Sequence, residues 1–213
     1  VLNGDYQPTA GKYLLDGVEK HFHSPHEAIE EGISVIYQER QILLELSVAE
    51  NIYLGRMPVS RFGFIDTRKA NEMAAGIIGD FGLPISPSAK VKDLSTAYQQ
   101  MVEIMKAYSR ENLKVICFDE PTASLSDSEI ESLFKIIEKL KAEEKIIIYV
   151  SHRMDEIARI TDRVAIFKDG RYVDTVTTGA IPEAKMIRMM VGRDLGDIYK
   201  DLDRNKEIGE VLL

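Results

Sequence analysis

Apolar residues recur along this chain in two periods, and the switches between them outline its elements. Around residues 32–37 (GISVIY), 114–118 (KVICF) and 146–150 (IIIYV) they run almost without interruption, as expected of strands buried on both faces of a parallel sheet. Elsewhere the spacing is helical. Residues 66–81 predict an amphipathic helix, and residues 95–109 a second with Met101, Ile104 and Met105 on one face. Residues 126–144 predict a third, with a stripe of Ile130, Leu133, Phe134, Ile137 and Leu140. SVAENIYLG opens on Ser47 with Glu50 three residues later, the spacing of a capping box. Shorter helices are expected over 154–160 and 181–191. Residues 11–17 read as a short exposed strand, and 163–168 with 171–176 as a hairpin turning at Asp169-Gly170. Strands alternating with helices predict an α/β fold with a mostly parallel sheet flanked by helices. The polar stretch 192–210 reads as a linker.

Composition narrows the function classes. With 213 residues and 45% apolar side chains, the chain is one large domain or a domain with a subdomain, and it can fill a core. A net charge of -8 argues against a general affinity for nucleic acid or anionic lipid, which needs clustered Lys and Arg. The single cysteine, Cys117, lies in an apolar strand and is expected to be a small core residue, so a reducing compartment fits. No apolar stretch approaches the roughly 18 residues of a membrane span, and no signal peptide opens the chain. Work at a membrane would therefore pass through partners. His21, His23 and His26 invite a metal hypothesis, but their spacing is loose and a loop around Pro25 favours solvent, so a structural reading is preferred.

The chemistry gathers at strand ends. The strand over 114–118 runs into Asp119-Glu120, delivering two carboxylates to the C-terminal edge where open α/β sheets bind ligands. One carboxylate can hold Mg²⁺, which keeps several waters and needs few protein ligands; the other can act as a general base. The strand over 146–150 ends in Ser151-His152, a donor able to reach a terminal phosphate. Gln38 follows the strand over 32–37. Leu94, Ser95, Thr96 and Ala97 precede a helix whose first amides and Ser hydroxyl could receive an anion. A strand ending in Asp-Glu is by itself common in α/β proteins; the four features in this order are not.

Together they resemble the ATP-binding cassette (ABC) family, with a Q-loop at Gln38, a signature motif at Leu94 to Tyr98, a Walker B strand ending at Asp119-Glu120 and an H-loop at His152. SVAENIYLGR, QQMVEI, DEPTASL and MIRMMVGRDL are similar to the monosaccharide-importer ATPases of the ribose, galactose and xylose type, which carry two cassettes in one polypeptide. The resemblance implies ATP and Mg²⁺ as cofactors. Asp119 would bind the metal, Glu120 would polarise the attacking water, His152 would contact the γ-phosphate, and Gln38 would sense metal and water. Leu94, Ser95, Thr96 and Ala97 would close over ATP held by the opposite cassette. Residues 1–38 would belong to a β-rich part of the ATPase core, 39–111 to an inserted helical subdomain receiving the membrane subunits, 112–192 to the catalytic α/β core, and 193–213 to a linker towards a second cassette. Implied partners are that second cassette, transmembrane permease subunits and, indirectly, a periplasmic or lipoprotein sugar-binding protein, with no nucleic acid. The implied location is peripheral, on the cytoplasmic face of a bacterial plasma membrane.

The sequence also departs from the family pattern. Gly-x-x-x-x-Gly-Lys-Ser/Thr is nowhere present: the only Gly-Lys pair, Gly11-Lys12, is followed by Tyr13 and has no glycine at position 6. The N-terminal strand and P-loop are therefore expected to be missing, and the chain is expected to be the first cassette of a tandem protein trimmed at both ends, inactive alone. Ala97 and Tyr98 replace the usual Gly and Gln of the signature, and Ser126 stands where many cassettes have Asp. Two alternatives remain at this point: an ABC-type ATPase of a soluble machine for DNA repair or translation, and a non-catalytic docking domain.

Overall fold

The computed structural model describes residues 1–191; the expected linker lies outside them. The chain divides into two units, Val1–His152 and Arg153–Leu213. The first is organised around a three-stranded parallel sheet of order β3(Ile33–Ile36), β4(Val115–Asp119), β5(Ile146–Val150). These are the apolar runs of the sequence, and the middle strand buries Val115, Ile116 and Phe118. Gly32 starts β3 with φ +96, and its carbonyl accepts both Lys114 and Val115 N–H, at 2.8 and 3.0 Å. A Cβ there would meet the Asn112 carbonyl oxygen at 2.2 Å, so the strand entry requires glycine.

The residues 11–17 strand proves to be half of a hairpin, β1(Tyr13–Leu15) with β2(Val18–Lys20), turning through Asp16 and Gly17 at positive φ. The histidine segment is not an exposed loop throughout: Ser24 caps α1(Pro25–Glu30) by accepting the Glu27 N–H, with proline in the first turn where a missing N–H costs nothing. His26 lies 3.6 Å from Glu30, and His21 lies 3.2 Å from Glu19.

Three helices form a second cluster: α2(Val48–Ile52), α3(Thr67–Asp80) and α4(Thr96–Tyr108). Ser47 and Glu50 make the capping box their spacing predicted. Val48, Ile52, Ala70, Ala74, Ile78, Val102 and Met105 pack together, all nearly solvent-free. Burying an aliphatic side chain of this size is worth about 1.5–3 kcal/mol, so the cluster is a core in its own right. α5(Asp127–Ala142) buries the predicted stripe and stops at Glu143, with Glu144 at φ 57 and the Lys145 N–H returning to Leu140 O at 3.0 Å. That is a Schellman stop made without glycine. Cys117 is not a core residue; it is half-exposed, though burial still pushes its thiol up to about 11, with Asp119 adding to the shift.

The described residues of the second unit comprise α6(Met154–Ile160), the hairpin β6(Arg163–Lys168) with β7(Arg171–Thr177), and α7(Glu183–Val191). Met154, Ile157, Ile166 and Met186 form its core. Asp169 and Gly170, both at positive φ, make the tight turn that their sequence predicted.

Candidate functional site

The three parallel strands end level. Ile36 pairs with Phe118, and Asp119 pairs with Val150. Gln38, Asp119-Glu120 and Ser151-His152 therefore arrive at one edge of the sheet, and what brings them there is the register of the strands. Asp119 is the last residue of β4 and half-buried; Gln38 is exposed two residues beyond β3.

At that edge Glu120 and His152 are in contact. His152 Nδ1 lies 3.0 Å from Glu120 Oε1. An ionised carboxylate only accepts, so in this contact Nδ1 carries the proton. The imidazole is 71% exposed and the carboxylate 34%, so both remain open to a ligand. The backbone places Glu120 deliberately: its N–H donates to Val150 O at 3.0 Å, extending the β4–β5 ladder, while its φ of 45 turns the chain sharply. A non-glycine residue held in this region costs about 1–3 kcal/mol and persists where its surroundings fix it, commonly at functional sites.

The segment Leu94, Ser95, Thr96 and Ala97 is organised elsewhere. Ser95 caps α4 by accepting the Tyr98 N–H at 3.4 Å, and its hydroxyl donates to Glu129 Oε1 at 3.3 Å. Glu129 in turn accepts the Ser126 N–H at 2.9 Å and its hydroxyl at 2.8 Å, which holds its carboxyl below the ordinary range, the backbone bond contributing most. Ser126 thus serves as a helix cap, and Ser95 engages Glu129 rather than Glu120 or His152.

Two residues that sequence reasoning passed over fix the segment after Gln38. Glu103 sits on α4 among apolar neighbours, 6% exposed, and accepts the Gln41 N–H; its other oxygen is buried without a partner. Burial raises its pKa, partly offset by Gln41, Lys106 and Arg40. Asn51, fully buried, accepts the Leu43 N–H at 2.8 Å and donates to Leu43 O at 2.9 Å and Ser47 O at 3.0 Å. The only signal for either was a polar residue interrupting an apolar face. A cavity of about 300 Å³ opens beside Glu103, lined also by Ser34, Tyr37, Gln41, Lys106 and Arg110. Burial lowers the pKa of Lys106 and of Arg110 and pushes Tyr37 up to about 12, with help from Asp5.

The family profile described as ABC transporter matches residues 1–123. The chain belongs to the ABC transporter family. It is 45% identical to the arabinose import ATP-binding protein AraG of Mannheimia succiniciproducens, a match covering 100% of this chain and 42% of that protein. The protein of the same name from Vibrio parahaemolyticus is also 45% identical, over 99% of this chain and 41% of its own. The chain thus spans about two fifths of the length of these curated relatives. Among solved structures, cbiO1 from Clostridium perfringens, part of the ABC transporter complex cbiONQ, matches with a TM-score of 0.71 at 21% identity, covering 95% of this chain and 80% of that one. A nucleotide-free ATP-binding cassette from an ABC transporter matches with the same score and identity over 99% of this chain and 81% of its own. The fold is therefore that of an ABC cassette: a mixed α/β architecture with parallel strands and helices.

Proposed function

We propose that this chain is part of an ATPase that energises import of a sugar, and that the C-terminal edge of its parallel sheet supplies the hydrolytic half of a nucleotide site. The observation that carries the reading is the Glu120–His152 contact at 3.0 Å, on strands whose register also delivers Asp119 and Gln38. The identity to arabinose import ATP-binding proteins supports a pentose such as arabinose as cargo.

The residues present fit part of the ligand. Among the described residues no three acids, histidines or cysteines cluster as a metal cage. Mg²⁺ suits such a place, because it takes one or two carboxylates together with substrate phosphates and water. Asp119 would hold it and Gln38 would lie close by; bound metal supplies charge neutralisation for the phosphates. The phosphates themselves find no cradle, since the sequence lacks Gly-x-x-x-x-Gly-Lys-Ser/Thr. The chain's own residues then have separable tasks. Glu120 takes a proton from water, His152 orients Glu120 and donates towards a terminal phosphate, and Gln38 positions the water. Leu94, Ser95, Thr96 and Ala97 face the nucleotide of an opposing cassette. In this reading residues 39–111 receive permease subunits, residues 1–38 and 112–192 form the ATPase core, and residues 193–213 lead to a second cassette. The protein works at the membrane as a peripheral subunit, and a sugar-binding protein acts on it only through the permease. Deprived of a phosphate cradle, this chain alone is inactive.

Uptake tests the reading. A bacterial strain carrying Glu120→Gln in the full-length protein should lose energised accumulation of labelled arabinose, whereas accumulation at the unaltered rate would contradict it.

A further inference from the structure

Between α2 and α3 the chain makes a tight hairpin over residues 58–66. Ser60 N–H donates to Phe64 O at 2.8 Å, Gly63 N–H to Ser60 O at 2.9 Å and Asp66 N–H to Pro58 O at 2.8 Å. Val59 and Ile65 form an antiparallel bridge, and Gly63 turns the chain at φ +82. Both ends are anchored: Met57 packs on the helical core, and Asp66 caps α3 by accepting the Lys69 N–H at 2.9 Å. Yet this pinned hairpin holds Phe62 73%, Phe64 74%, Val59 63% and Ile65 62% exposed. A slack loop could fold such side chains back onto the protein. A hairpin with its backbone satisfied cannot, and an apolar cluster fixed in water marks an interaction surface.

The surrounding charge selects the partner. The Arg61 guanidinium lies 4.8 Å from the Phe62 ring centroid. Arg68 and Lys69 are exposed in the first turn of α3, which holds no acidic residue. Cations there oppose the helix dipole, so they do nothing for the helix itself. Asp66 is engaged in the cap, and the next acid along α3 is Glu72. A convex tip of two aromatic rings ringed by three cations, on a chain of net charge -8, matches an anionic membrane surface, where rings settle at the headgroup level and Arg and Lys meet lipid phosphates. A protein partner would instead need a pocket shaped to receive the tip. We propose that residues 58–66, with Arg68 and Lys69, form an interfacial anchor for anionic phospholipid. The acidic remainder of the chain is repelled by the same surface, so the hairpin also fixes which side of the protein faces it. This contact is independent of the nucleotide chemistry.

The chain has no tryptophan, so Phe64→Trp creates a sole indole reporter at the tip. Mixed with phosphatidylcholine vesicles containing about a third phosphatidylglycerol, this variant should sediment with the lipid and shift its emission to the blue, with little of either on pure phosphatidylcholine. Phe62→Ser with Phe64→Ser should lower partitioning of the chain at least about tenfold, while far-ultraviolet circular dichroism stays unchanged. Arg61→Gln, Arg68→Gln and Lys69→Gln together should abolish the preference for phosphatidylglycerol. The proposal is overturned if the chain ignores anionic vesicles, if the double serine variant keeps its circular dichroism and binds them equally, or if the hairpin is protected only by a protein partner.

Discussion

Glu103 shows how one residue can carry information that its neighbours hide. In sequence it is a charge between Val102 and Ile104, and nothing distinguishes a solvated acid from a buried one. In the fold, α4 is enclosed on nearly every side, so the carboxylate is desolvated and holds Gln41. Its pKa is raised from 4.5, so the native state binds the proton more tightly than the unfolded chain does. Stability from this group is therefore greatest below the unfolded value and falls as pH rises through the raised native value. Glu103→Gln removes the titration. The variant should gain on the parent between about pH 4 and about pH 7, by roughly 1.4 kcal/mol for each unit of the native shift. Urea melts at several pH values check this, and a stability gap that does not change with pH would contradict the desolvated carboxyl. Asp119, Glu120 and His152 were legible for the opposite reason: each ends an apolar run, and a parallel strand leaves its polar end at the functional edge.

At the scale of elements, period and caps were readable, and partners were not. The three long helices fall within two residues of their expected ends because Ser47, Asp66, Ser95 and Ser126 lie at N-caps. The β1–β2 hairpin was seen only as its first strand, since Val18–Lys20 is too short and too charged to show a period. Helix α1 escaped notice because six residues give fewer than two turns of pattern. The strand entry at Gly32 makes a sharper test. Gly32→Ala would force a Cβ against the Asn112 carbonyl at a positive φ, and we expect a cost of about 2 kcal/mol or more. An unchanged urea midpoint would show that the β3–β4 entry relaxes freely.

For the whole molecule, alternation of strand and helix was enough to give the α/β class, and the four strand-end and helix-start motifs were enough to give the family. The chemistry of a complete site was not readable from these parts, because register, rather than sequence proximity, joins Glu120 to His152 across 32 residues. Nor does anything in the strand pattern foretell that Ser95 turns to Glu129. Most of the affinity for a nucleoside triphosphate comes from charge-assisted bonds to its phosphates, and no cradle for them is encoded here. Isothermal titration of this chain with Mg-ATP is accordingly expected to give no measurable heat of binding, and a micromolar dissociation constant would refute that expectation. The central claim concerns the edge of the sheet, and it is tested most directly by ATP turnover in the full-length protein carrying Glu120→Gln. If Glu120 takes the proton from water, the variant should still bind Mg-ATP while hydrolysis falls by about 10²-fold or more; turnover equal to the parent would contradict the assignment.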